Sequence, residues 1–103
     1  MLAELSVFPL DKGKTSLSSY VAQSLKIIEE SGLDYEIHAM GTLIEGPSEA
    51  VFDVIRKCHE NMRQHSDRVV TYVKIDDKAG ANGAIKSKVA SVEDRVGHPL
   101  RKG

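Results

Sequence analysis

Apolar and polar positions alternate along residues 2–10, with Ala3, Leu5 and Val7 on one side and Glu4, Ser6 and Phe8 on the other. That is the period of a half-buried strand, and Pro9 ends it. After the loop Asp11-Lys12-Gly13-Lys14, either Thr15 or Ser16 is placed to cap a helix whose apolar positions Leu17, Tyr20, Val21, Leu25 and Ile28 recur at three and four. Gly32 stops that helix near Ser31. Residues 34–39 alternate again, and Gly41 allows a tight reversal into a third strand over 42–45. Gly46-Pro47-Ser48 then reads as turn, proline and N-cap of a second helix, which carries Val51, Val54, Ile55, Cys58 and Met62 on one stripe and runs to about His65. A fourth strand covers 68–76, and a glycine-containing loop over 77–83 leads to a third helix. Its apolar positions Ile85, Val89, Val92 and Val96 make a single narrow stripe, suited to an edge or a neighbouring subunit.

The order βαββαβ with an appended helix is the split βαβ pattern of an α+β, ferredoxin-like fold. Right-handed crossovers give a four-stranded antiparallel sheet of order 4-1-3-2, two helices on one face and the C-terminal helix added. Residues 1–97 form the domain, and 98–103 a flexible tail. If the helices cover Ala3, Leu5, Val7, Ile37, Ile44, Val69, Val73 and Ile75, alternation sends Glu4, Ser6, Phe8, Glu36, His38, Met40, Leu43, Glu45, Tyr72, Lys74 and Asp76 to the other face.

That open face is the main functional clue. Glu45 lies among Leu43, Ile44 and neighbouring apolar strands, where a carboxylate is costly unless a cation or a hydrogen-bond donor meets it. Glu4 and Glu45 fall on adjacent strands and are expected to repel each other. A solvated face would explain the acids, but Phe8, Met40, Leu43 and Tyr72 beside them form an apolar patch of the kind monomers avoid. A second subunit covering the face would bury the acids partly, and an aromatic cation would satisfy both acids and rings.

Composition narrows the partners. The chain has 103 residues, one domain's length, with 14 basic and 15 acidic residues and a net charge of −1, so no field for nucleic acid is visible. The one cysteine, Cys58, forms no internal disulfide and fits a reducing, cytoplasmic setting. No stretch approaches the ~18 apolar residues of a membrane span. His38, His59, His65 and His98 lack metal spacing, nothing resembles a catalytic triad, and no enzyme and no metal are expected. Gly13-Lys14-Thr15 is similar to the end of a phosphate-binding loop, but the earlier glycine that motif requires falls at Phe8; only a weaker phosphate contact through Lys14 is left.

Four stretches carry a family resemblance: Ala3-Glu4-Leu5-Ser6-Val7-Phe8-Pro9-Leu10, Thr15-Ser16-Leu17-Ser18-Ser19-Tyr20-Val21, Met40-Gly41-Thr42-Leu43-Ile44-Glu45-Gly46 and the run Asp67-Arg68-Val69-Val70-Thr71-Tyr72-Val73-Lys74-Ile75-Asp76-Asp77. In this order, over residues 2–96, the chain resembles the small thiamine-binding, YkoF-like proteins. The resemblance implies a ferredoxin-like fold, homodimers or homotetramers built through the sheets, and binding of thiamine or its hydroxymethylpyrimidine part as ligand; it does not imply catalysis, and no cofactor is expected.

Candidate ligand contacts follow. Glu45 stands first as hydrogen-bond acceptor, set against a salt bridge to Lys74 or to a partner subunit. Glu4, Ser6 and Thr42 come next, with Thr42 directed toward the helices as a half-buried strand residue. Phe8 and Tyr72 are rings for stacking. Ser18 and Ser19, in the first turn of a helix, favour an anion or a polar ring, or simply cap the helix. The leading expectation is a homo-oligomeric binder of thiamine or a related pyrimidine. The alternative is a structural or regulatory oligomeric module whose open face takes no small molecule.

Overall fold

A computed structural model describes residues 1–11 and 17–102. Among them, β1 (Leu2–Pro9), α1 (Leu17–Ser31), β2 (Asp34–His38), β3 (Gly41–Glu45), α2 (Ser48–Arg63), β4 (Val69–Asp76) and α3 (Ala84–Val96) follow in order. The sheet runs β2-β3-β1-β4, each pair antiparallel. This is the expected 4-1-3-2 order read from the other edge, and the α+β, ferredoxin-like class holds. The expected cap residues Thr15 and Ser16, and the Gly13-Lys14-Thr15 stretch, lie outside the described residues.

The strand alternation explains the core. Ala3, Leu5 and Val7 of β1 and Ile44 of β3 point to one side, where they meet Ile28 of α1 and Val51, Val54, Cys58 and Met62 of α2. Each large apolar side chain so buried contributes about 1.5–3 kcal/mol. Three local expectations are corrected. β2 ends at His38, because the chain reverses through 39–40 one residue earlier than the alternation suggests. Pro47, not Ser48, occupies the N-cap position of α2 and offers no side-chain cap. The helices centre on β1 and β3, so helix-side residues of the outer strands stay half bare: Ile37 is 48% exposed, whereas Ile44 is 0%.

The third helix is attached differently from the other two. It packs against β3 from the face opposite α1 and α2, and beyond its first turn Val92 and Val96 are exposed. The radius of gyration, 15.0 Å, exceeds the ~13 Å of a compact chain of this length, as a projecting helix requires. After Gly97 the tail turns back on α3, where the Leu100 amide and the Lys102 ammonium both donate to Glu93.

Cys58 is fully buried, 3.8 Å from the Ser24 carbonyl oxygen, to which its Sγ is directed, and burial pushes its thiol up to about 11. At pH 8 only about one thiol in a thousand is then ionised. A thiol-specific reagent at that pH is expected to leave the folded protein unlabelled and to label it fully in denaturant; rapid labelling of the native chain would contradict the burial.

Candidate ligand-binding site

β1 is 8 residues long and β3 only 5, and this mismatch makes a site. The β1–β3 register ends at Leu5↔Thr42, after which the β2–β3 hairpin has already turned. β4 continues beside β1 from Ser6↔Tyr72 to Pro9↔Val69, but on the other edge no described strand accompanies those residues. A groove of about 320 Å³ opens there, between the hairpin, the bare edge of β1 and α1. That volume is at the small end of the ~300–1,000 Å³ typical of ligand pockets.

The walls are largely apolar, with Val7 and Val21 prominent, and few polar groups interrupt them: Ser6, Ser24, His38 and Thr42. Ser24 and Thr42 are each only 5% exposed. The Ser24 hydroxyl is buried and has no hydrogen-bond partner among the described residues. Such an orphan costs about 1–3 kcal/mol. Ser24 was not among the sequence candidates, yet its spacing shows the role: with Leu17, Val21 and Ile28 it completes the sheet-facing stripe of α1.

Of the sequence candidates, Ser6, Phe8 and Thr42 border this groove. Phe8 stacks on Tyr72 at 6.1 Å between ring centroids and 27° between planes, so the two rings form one apolar unit on the open face. Ser18 and Ser19 are exposed on the first turn of α1 and both are already engaged; the groove wall there is Leu17 and Val21.

The two acids have separate partners, and the expected repulsion between them does not arise. In the register Glu4 faces Leu43 and Glu45 faces Leu2. Glu4 Oε2 lies 3.2 Å from His38 Nε2, a contact between the strands on either side of β3. A Cβ on Gly41 would sit 2.9 Å from the Leu5 carbonyl oxygen, so glycine is required at that position.

Glu45 is 8% exposed, and the start of α3 meets it. The amides of Ala84 and Ile85 donate to its two carboxylate oxygens at 2.8 and 3.2 Å. The physical reason lies in α3 itself. Its N-cap residue is Gly83, with no side chain to satisfy the first-turn amides, and a carboxylate brought from β3 does so while complementing the helix dipole. Lys88 of α3 pairs with Asp76 of β4 and holds that carboxyl below its ordinary range. Glu45 and the groove therefore lie at opposite ends of β1, since Leu2 to Ser6 spans about 13 Å.

Among the described residues no group of three or more His, Cys, Asp and Glu side chains converges as a metal site would require. No described helix is long and apolar enough to cross a membrane.

The fold is a ferredoxin-like sheet with a small, mostly apolar groove at one end, and comparison with known proteins gives the family. Residues 3–93 match the thiamine-binding protein family, and the chain belongs to it. It is 41% identical over 96 residues to a UPF0045 protein of Methanothermobacter thermautotrophicus, covering 91% of this chain and 97% of that one. Among solved structures, the hypothetical protein MJ1052 of Methanocaldococcus jannaschii superposes with a TM-score of 0.81 at 30% identity, covering 90% of this chain and 95% of that one. A Thermotoga maritima protein whose proposed role is thiamine biosynthesis or salvage superposes at 0.74, with 26% identity and coverage of 88% and 96%.

Replacing Glu45 by Gln removes the charge from two buried hydrogen bonds, each worth about 1.5–3 kcal/mol when charged. Glu45→Gln is expected to lower stability by about 1–3 kcal/mol and to speed amide exchange at Ala84 and Ile85, measured by NMR. Unchanged exchange at those two amides would show that Glu45 does not hold α3.

Proposed function

We propose that the protein binds thiamine, or its hydroxymethylpyrimidine part, without catalysing a reaction, in the groove between α1, β1 and the β2–β3 hairpin. The observation that carries this reading is the groove of about 320 Å³ with a buried, unpaired Ser24 hydroxyl beneath it, in a chain of the thiamine-binding protein family. Thr42 supplies a second hydroxyl, Phe8 a ring at the rim, and Glu4, beyond His38, a carboxylate toward a thiazolium charge. Thiamine is the ligand here, and no cofactor is invoked. The absence of catalysis in this reading is supported by Cys58, whose burial withholds the thiolate a nucleophile needs.

The same reading makes the protein a cytoplasmic homo-oligomer whose partners include neither nucleic acid nor a membrane. Self-association through the sheets is supported by the half-buried Phe8, Leu43 and Val70 and the exposed Tyr72 on the open face, and by the uncovered valines of α3. Those valines also favour the second reading, an oligomeric interaction module that takes no ligand.

Calorimetric titration with thiamine, thiamine phosphate and hydroxymethylpyrimidine separates the two. Thiamine or hydroxymethylpyrimidine is expected to bind with Kd of about 1–100 μM; no heat from any of the three at ~1 mM ligand favours the module instead. Ser24→Ala is expected to weaken binding about 3- to 30-fold while leaving the unfolding midpoint unchanged or higher, because it removes an orphan hydroxyl. A lower midpoint with unaltered affinity would mean that Ser24 serves packing alone.

A further inference from the structure

Hydrogen-bond parity along β1 shows which backbone groups face the groove. The Leu10 amide donates to the Arg68 carbonyl at 2.9 Å, continuing the ladder with β4. In an antiparallel ladder, alternate residues turn both N–H and C=O to the same neighbour. Leu10, Phe8 and Ser6 therefore address β4, and Leu5, Val7 and Pro9 address the β3 side. The close approach of Gly41 to the Leu5 carbonyl agrees with that assignment.

Leu5 is paired with Thr42, but the next residue of its parity has no such strand partner among the described residues. By the same register Val7 would face Met40, and Met40 is already in the hairpin turn, where its amide is directed to the His38 ring at 3.3 Å. Val7 thus points its side chain into the core, at 7% exposure, and turns its N–H and C=O toward the groove. Pro9, the next residue of that parity, has no N–H to offer. The bare edge consequently presents one adjacent donor and acceptor.

An unpaired strand edge ordinarily recruits another strand. Here a single residue is available, enclosed by the hairpin and α1 in about 320 Å³, which is too short for a strand ladder and suits one flat ring. We infer that the Val7 main chain reads the ligand: its N–H donates to a ring nitrogen and its C=O accepts from an amino group on the neighbouring carbon. The ligand class this selects is a heteroaromatic ring carrying an amine beside an unprotonated ring nitrogen. The inference rests on the groove being the binding site proposed above, with the unpaired Ser24 hydroxyl as an independent sign that the groove is incomplete when empty.

The test is calorimetry with three pyrimidines that differ at one position: hydroxymethylpyrimidine, its analogue lacking the amine, and its 4-oxo analogue, whose ring NH and carbonyl reverse donor and acceptor. Loss of the amine is expected to weaken binding about 10-fold, and reversal at least about 100-fold, because a polar pair is left facing a mismatched edge. The order should persist in Glu4→Gln. Binding of all three within about 3-fold, or loss of discrimination in Glu4→Gln, overturns the role of Val7 while leaving the pyrimidine site intact. Failure of hydroxymethylpyrimidine itself to bind overturns the proposed function, and this inference with it.

Discussion

A strand that stops short leaves its neighbour's backbone groups without partners, and that constraint governs one end of this molecule. β1 outruns β3 beyond Leu5↔Thr42, and the early turn of the β2–β3 hairpin converts what would be sheet into a groove. The same shortness leaves Ile37 half bare and exposes the sheet-facing stripe of α1 where it passes over the hairpin. Buried backbone groups seldom stay unpaired, which is the physical basis of the ligand contact proposed at the end of β1. Ser24, with its unpaired hydroxyl, adds to the same imbalance.

The opposite end of β1 shows the converse, a polar demand that the chain satisfies by itself. Glu45 is buried and α3 begins at a glycine without a capping side chain; each supplies what the other lacks. This exchange fixes α3 on the face away from α1 and α2 and leaves its later valines uncovered. An acid and a helix end that each look unsatisfied in isolation form one structural contact, at the end of β1 away from the groove.

Much of the fold was legible because it is local. Alternation in β1 and β4, the three-and-four spacing of α1 and α2, and the turn glycines lead directly to the sheet order and to which residues face the helices. Three aspects of the site were not. The partner of Glu45 lies 39 residues away, and no periodicity links a β3 carboxylate to the uncapped start of a later helix. The groove depends on where β3 ends relative to β1, a matter of one or two residues that alternation does not resolve. A serine on an apolar stripe, as Ser24 is, reads as a small packing residue, and its missing partner is a property of the assembled core. Alternation and the family resemblance point to Ser6, Phe8 and Thr42, and the structure brings all three to the groove's border.

The claim that the binding end and the structural end of β1 are distinct is tested most directly by mapping backbone amide shifts by NMR as thiamine is added. The account predicts changes centred on Val7, Ser24, Gly41 and Thr42, with the amides of Ala84 and Ile85 unmoved. Changes centred on Ala84 and Ile85, with the groove silent, would place the ligand at Glu45 and contradict it.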